Sequence, residues 1–277
     1  MIKKSFGIIG KPLSHSLSPT LHNYWFKKYK IFADYSLLEI ELSEIGEIIK
    51  KIRCSELQGI NVTVPYKQAV IPFLDLIVDD AKETLSVNTV SLNEKGQVVG
   101  HNTDVYGLEY GFVNKLNSLN SEQDKVLILG AGGVSPSVIY ALSKRGTKKI
   151  SISNRTLKKA EDIRKKFPFV EVINWENLET NIKSMDVIIN ATSLGLKNGD
   201  DFKQEFKNIK PSAIYYDIIY NPENTAMIKK LKKRGIKTFN GLEMFIYQGQ
   251  ESFSIWNKII PELDEELKKI IFKKLKC

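Results

Sequence analysis

The chain reads as an α/β protein made of two successive α/β series, the second forming a Rossmann-like, doubly wound parallel sheet. Three observations carry this reading. Strand-like and helix-like segments alternate through most of the 277 residues, the pattern of layered sheet and helix. A continuous apolar run, Val126-Leu127-Ile128-Leu129, leads directly into Gly130-Ala131-Gly132-Gly133-Val134-Ser135 and then a helix to about Lys144. Such a run suits a parallel strand buried on both faces. From Leu242 onward the pattern is helical only, at about 242–256 and 262–275, interrupted by Pro261.

In the first series, residues 5–9 read as the opening strand, followed by a loop over 11–19. Ser18 as N-cap and Pro19 at the first helical position start a helix that runs to about Lys30. Residues 34–41, 44–53 and 59–64 read as strand, helix and strand, and Pro65 opens another helix to about Leu76. Residues 87–92 and 97–99 pair as a hairpin around Asn93-Glu94-Lys95-Gly96. A helix from about Asp104 to Leu116 leads into the polar stretch Asn117-Ser118-Leu119-Asn120-Ser121, and a domain boundary falls near 101–104. The second series starts at Lys125, with strands at 125–129, 148–153, 169–173, 186–190, 213–217 and 236–239 and helices between them.

Composition narrows the function classes. Hydrophobic residues make up 42% and charged residues 26%, ordinary for a globular protein with its own core. Cys54 and Cys277 form no metal motif or disulfide framework, and His15, His22 and His101 are scattered. The chain therefore reads as cytoplasmic and metal-free. The basic opening is followed by too short an apolar stretch for a signal peptide, and no run of about 18 apolar residues is present to span a bilayer. The net charge of +9 is spread over helix faces, as in Lys229-Lys230 and Lys268-Lys269. This is the pattern of solvated surfaces rather than a nucleic-acid track.

The glycine turn points to a dinucleotide. Gly130 permits the tight turn, Gly132 lets the backbone approach a pyrophosphate, and the small Ser135 takes the close-packing position. Gly130, Ala131, Gly132, Gly133 and Val134 are the candidate phosphate-side residues, helped by the free N–H groups of the helix start. The next strand ends in Asn154-Arg155-Thr156 with no acid to accept from a ribose 2′-hydroxyl. Arg155, with Lys158 or Lys159 nearby, instead suits a 2′-phosphate, which favours NADP over NAD. Asn154 and Thr156 also suit a helix start. The strand at 186–190 ends in Asn190-Ala191-Thr192-Ser193-Leu194-Gly195, and Thr192 and Ser193 are candidates to line the same crevice.

In the first series, Gly59-Ile60-Asn61-Val62-Thr63-Val64-Pro65-Tyr66-Lys67 gathers Asn61, Thr63 and Lys67 around one strand end as candidates to bind substrate. Asn61 and Thr63 share a face. Lys67 falls in the first turn of the expected 65–76 helix, where the helix dipole disfavours a cation. Asn102-Thr103-Asp104 opens another helix, so Asp104 suits either capping or chemistry. A Lys/Asp couple can pass a proton to a ketone or alcohol.

Taken together, these segments resemble the shikimate dehydrogenase family. The resemblance lies in residues 11–19, 59–67, 87–89, 100–107, 130–135, 154–156, 190–195, 217–222 and 241–248, in the family's order and nearly end to end. It implies reversible reduction of 3-dehydroshikimate to shikimate by NADPH in aromatic amino acid biosynthesis. On the family pattern Ser14 and Ser16 bind the substrate carboxylate, while Thr63, Lys67, Asn88, Asp104 and Gln248 hold the ring hydroxyls. Tyr220 takes a further substrate contact, Lys67 with Asp104 forms the catalytic pair, and Gly241 and Met244 lie beside the nicotinamide. The resemblance also implies that the C-terminal helices return to the first domain. The expected domains are then 1–103 plus about 242–277 for substrate, and 104–241 for NADP. The working form would be a monomer or homodimer whose partner is a small molecule, with no nucleic acid or membrane involved.

The sequence departs from the family at Ser135-Pro136, at Ser193 (commonly proline) and at Phe245 (commonly leucine). His101 stands at a variable position and is given no catalytic role. Two other readings compete. One is a quinate/shikimate dehydrogenase using NAD, opposed by Arg155 without an acidic neighbour and by the room that the Ser16 hydroxyl occupies. The other is a non-catalytic NADP-binding regulatory homologue, in which loss of Lys67 or Asp104 would be expected.

Overall fold

The computed structural model describes residues 2–116, 120–197 and 199–275. Asn117, Ser118 and Leu119 of the expected linker, and the terminal Cys277, lie outside the described residues. In chain order the first elements are β1 (Lys4–Gly10), α1 (Ser18–Lys28), β2 (Ala33–Glu39), α2 (Ile45–Arg53), β3 (Gly59–Val62) and β4 (Leu76–Ile77). Next come α3 (Asp80–Thr84), β5 (Thr89–Leu92), β6 (Val98–His101) and α4 (Thr103–Gly111). The second series comprises β7 (Lys125–Leu129), α5 (Ser135–Lys144), β8 (Lys149–Ser153), α6 (Leu157–Lys166), β9 (Glu171–Val172) and α7 (Leu178–Asn181). It continues with β10 (Val187–Asn190), β11 (Ile214–Asp217), α8 (Ala226–Lys233), β12 (Lys237–Phe239), α9 (Leu242–Asn257) and α10 (Glu265–Leu275).

The chain divides into two compact units, Met1–Gly107 with Ile246–Cys277, and Leu108–Phe245. In the first unit the strand order is β2-β1-β3-β5-β6-β4. β1 runs parallel to β2 and β3, and β5 is antiparallel to both β3 and β6. Beneath this sheet Ile45, Ile48, Ile49 and Ile52 line the buried side of α2, at the spacing that puts four side chains on one helical face. The expected hairpin turn is present: Gly96 takes a φ of 74° and Asn93 N–H donates to Gln97 O at 2.9 Å.

In the second unit all pairings are parallel, in the order β12-β11-β10-β7-β8-β9. Counted from β7, the sheet grows one way through β8 and β9 and the other way through β10, β11 and β12. That is the doubly wound arrangement, with its topological switch point between β7 and β10. Leu127, Leu129, Ile188 and Tyr215 from the central strands are fully buried.

Several local expectations are corrected. Residues 65–76 do not form an α-helix: turns lead to a single 3-10 turn at Ile71–Phe73, and Leu76 and Ile77 pair with β6. Pro72 has no donor to extend a helix, and Asp75 is claimed by β6, its N–H donating to Val98 O at 3.0 Å. Lys67 is therefore in a turn, and no helix dipole acts on it. Ser18 is the first residue of α1 rather than its cap, which is Leu17. Thr156 is the N-cap residue of α6 but makes no side-chain cap bond. The helix expected from Asp104 to Leu116 ends at Gly111, with a 3-10 turn at Val113–Leu116.

Candidate active site

In the first unit, sheet register gathers the polar residues. Asn61 in β3 lies opposite Thr89 in β5, and Thr89 lies opposite His101 in β6. The end of β3, the start of β5 and the end of β6 therefore coincide, so the residues just outside them (Thr63, Lys67, Asn88 and Asp104) emerge together. β1 ends at the same edge: Thr63 N–H donates to Ile9 O at 2.9 Å and Lys11 N–H to Val64 O at 3.1 Å. The Ser14–Ser16 loop thus leaves β1 beside the chain that leaves β3.

Lys67 and Asp104 form a buried ion pair, 8% and 4% exposed, with Nζ 2.5 Å from Oδ2. Val87 N–H donates to Lys67 O at 2.8 Å, tying the lysine's turn to the approach to β5. The other carboxylate oxygen, Oδ1, accepts from Asn88 Nδ2 at 2.9 Å. The Asn88 amide has one possible orientation, because Thr103 N–H can only donate and is 2.7 Å from Asn88 Oδ1. Asn102 Oδ1 accepts the Asp104 N–H at 3.1 Å, so the capping role falls to Asn102 and the Asp104 carboxylate is left to Lys67 and Asn88. Gln248 Oε1 lies 3.4 Å from Asn88 Nδ2 and joins this cluster.

The other expected substrate residues are placed differently. Asn61 is 4% exposed, and its amide serves Tyr35 Oη, Asn88 O, Thr89 Oγ1 and Ser252 Oγ, so it stands behind Asn88. Ser14 is exposed, while Ser16 Oγ accepts from Ser18 N–H at 3.3 Å and donates to Ser18 Oγ at 3.2 Å. Thr63 Cγ2 packs so closely on Gly10 that a Cβ there would come within 2.4 Å of it.

The second unit carries the glycine turn at the switch point. Gly130 has a φ of 103°, and a Cβ on it would sit 2.9 Å from Ala191 O, so the turns after β7 and β10 touch. A Cβ on Gly132, by contrast, would meet nothing within 4 Å. That turn is therefore open on the side where a pyrophosphate approaches. Ser135 is buried and closes the turn, accepting from Gly132 N–H at 3.1 Å and donating to Gly130 O at 2.9 Å. Asn154 Oδ1 accepts from Ala131 N–H at 3.0 Å, linking the turn to the end of β8. Arg155 and Lys159 are exposed and no ion pair involves them among the described residues, whereas Lys158 pairs with Asp162 at 3.2 Å. An open glycine turn beside two uncommitted cations fits a dinucleotide carrying a 2′-phosphate.

Around the β10 and β11 ends, Thr192 N–H and Oγ1 both donate to Asn190 Oδ1, at 3.0 and 2.7 Å. Tyr220 stacks on Phe245 with ring centroids 4.3 Å apart, so the aromatic at 245 supports the tyrosine. Gly241 abuts Ile218, whose carbonyl oxygen would be 1.8 Å from an added Cβ, and the Met244 backbone packs on Gly111. Asp217, which had no role from the sequence, is fully buried; burial pushes its carboxyl up to about 6 against the pull of Ile219 N–H, Thr225 and Asn190. Its one sequence signal is an acid closing the apolar strand Ile214-Tyr215-Tyr216.

Two family profiles match the chain: the shikimate dehydrogenase substrate binding domain over residues 8–90, and shikimate / quinate 5-dehydrogenase over 113–239. Among curated relatives, the shikimate dehydrogenase (NADP(+)) of Pelagibacter ubique is 46% identical, covering 96% of this chain and 97% of its own. The crystal structure of shikimate dehydrogenase from Aquifex aeolicus superposes with a TM-score of 0.86 at 38% identity, over 100% of both chains. A shikimate dehydrogenase solved in complex with NADP+ gives a TM-score of 0.87 at 32% identity, covering 99% of this chain and 96% of its own. Among the described residues, no helix is long and apolar enough to cross a membrane.

Proposed function

Because the chain belongs to the shikimate dehydrogenase family, we propose that it reduces 3-dehydroshikimate to shikimate with NADPH, using Lys67 and Asp104 as the catalytic pair. The observation that carries this reading is the buried Lys67–Asp104 ion pair, braced by Asn88, at the edge where the polar strand ends of the first unit meet. NADPH supplies the hydride when bound. Lys67 Nζ supplies the proton that the carbonyl oxygen needs as it becomes a hydroxyl, and Asp104 holds Lys67 in line. Thr63, Lys67, Asn88, Asp104 and Gln248 hold the ring hydroxyls, Tyr220 makes a further substrate contact, and Ser14 and Ser16 donate to the carboxylate; a substrate bearing several hydroxyls requires several fixed polar partners.

On this reading the first unit takes substrate and the second takes NADP. Gly130, Ala131, Gly132, Gly133 and Val134 face the pyrophosphate. Asn154, Arg155, Thr156 and Lys159 face the 2′-phosphate, and Thr192, Ser193, Gly241 and Met244 line the remaining path. Asn61 supports Asn88 from behind. The working form on this reading is a monomer or homodimer acting in the cytoplasm. The test follows NADPH absorbance with 3-dehydroshikimate, with NADH and with quinate plus NAD as controls. Turnover with NADPH and 3-dehydroshikimate, at least about tenfold more efficient than either control, is expected from lost charge-assisted contacts. Faster turnover of quinate with NAD would overturn the reading.

A further inference from the structure

Asp217 is a buried carboxylate that the chemistry above does not use, and no lysine or arginine pairs with it among the described residues. Three donors converge on it at well-defined distances, and the buried Tyr215 hydroxyl stands beside it as a fourth polar neighbour. Asn190 Nδ2 and Ile219 N–H donate to Oδ1 at 3.0 and 3.1 Å, and Thr225 Oγ1 donates to Oδ2 at 2.9 Å. The direction of each bond is fixed. Ile219 N–H can only donate. The Asn190 amide is oriented by Thr192 N–H, which donates to its Oδ1. Thr225 Oγ1, as the N-cap of α8, accepts from Ile228 N–H at 3.3 Å, which leaves its hydrogen for the carboxylate.

Two of these donors belong to segments with an expected ligand role, and Thr225 ties the carboxylate to the start of α8. Asn190 holds Thr192 from one side of its amide and donates to Leu194 O at 3.1 Å from the other, so it shapes the loop containing Ser193. Ile219 immediately precedes Tyr220. We propose that Asp217 is a positioning residue that fixes, from one carboxylate, both the Thr192–Ser193 loop facing NADP and the Tyr220 loop facing substrate. The proposal rests on the functional reading above, and it accounts for an acceptor-only group buried among donors.

The test measures KM for NADPH and for 3-dehydroshikimate, kcat, and the Kd of NADPH by fluorescence titration, in the full chain. Asp217→Ala is expected to raise both KM values and the Kd about tenfold, with a smaller change in kcat. Asp217→Asn keeps the shape and one acceptor, and is expected to recover most of that loss. If Asp217→Ala does not fold, Thr225→Val removes one donor, and a rise of about threefold in both KM values and the Kd is expected. Folded variants whose KM and Kd values stay within about twofold of the parent, whatever their melting temperature, overturn the proposal. If the parent chain does not turn over 3-dehydroshikimate, the functional reading fails on its own, and the Kd series still decides the role of Asp217.

Discussion

At the scale of single residues, Arg155 sits exposed after β8, with no acidic partner among the described residues to neutralise it. Its charge is available to a 2′-phosphate, and a hydrogen bond between charged groups contributes about 1.5–3 kcal/mol. Arg155→Ala is therefore expected to lower kcat/KM for NADPH by about 10- to 100-fold and to leave kcat/KM for NADH nearly unchanged. Steady-state kinetics with each cofactor measures this; an unchanged NADPH/NADH ratio would contradict it. Arg155 can be picked out in the sequence because a basic residue stands where an acid would accept from a ribose hydroxyl, whereas Lys67 and Asp104 are singled out as a pair by the family resemblance. The support around them is less legible. The orientation of Asn88 depends on the Thr103 backbone N–H, and the place of Asn61 behind Asn88 depends on Tyr35 and Ser252, which are distant in sequence. Neither dependence leaves a pattern that spacing can reveal.

At the scale of elements, α1, β2 and α9 enclose His22, which stacks on Tyr35 at 4.4 Å and meets Trp25, Phe253 and Trp256. Burial holds its imidazole down at about 3, against an ordinary 6.5. As the pH falls below 6.5 the unfolded chain takes up a proton that the native state refuses until about 3, so stability is lost across that window. Asp217 acts in the opposite sense, its native carboxyl protonating near 6 and its unfolded one near 3.8. His22→Phe leaves the Asp217 contribution in place and removes the histidine one. The variant is expected to lose less stability than the parent between pH 6.5 and 4, with a difference under about 1.5 kcal/mol at pH 7. Thermal melts across that range measure it, and parallel pH profiles would sink the idea. Elements with strong periodicity, such as α2 and the run into the glycine turn, are readable in advance. The 65–76 segment is not, because its fate is set by pairing with β6 rather than by local propensity.

At the scale of the whole molecule, the α/β class and the parallel character of the second sheet follow from alternation and from buried apolar strands. The strand order does not, since the side of β7 on which each later strand pairs is decided by tertiary packing. The return of the C-terminal helices to the first unit is legible only through family resemblance. Polar contacts hold the segment before α10 to α1: Tyr24 Oη donates to Asp264 at 2.7 Å and Trp25 Nε1 to Glu262 O at 3.2 Å. No hydrophobic period announces such contacts.

The buried Lys67–Asp104 pair is the centre of this account, and Lys67→Met tests it most directly by removing the proton donor while keeping an unbranched side chain of similar reach. The measurement is single-turnover reduction of 3-dehydroshikimate with saturating NADPH, alongside the Kd of NADPH for the same protein. The account predicts that the rate falls by about 10²–10⁴-fold, the usual contribution of a positioned proton donor, with the Kd unchanged. A rate within about fivefold of the parent would contradict it.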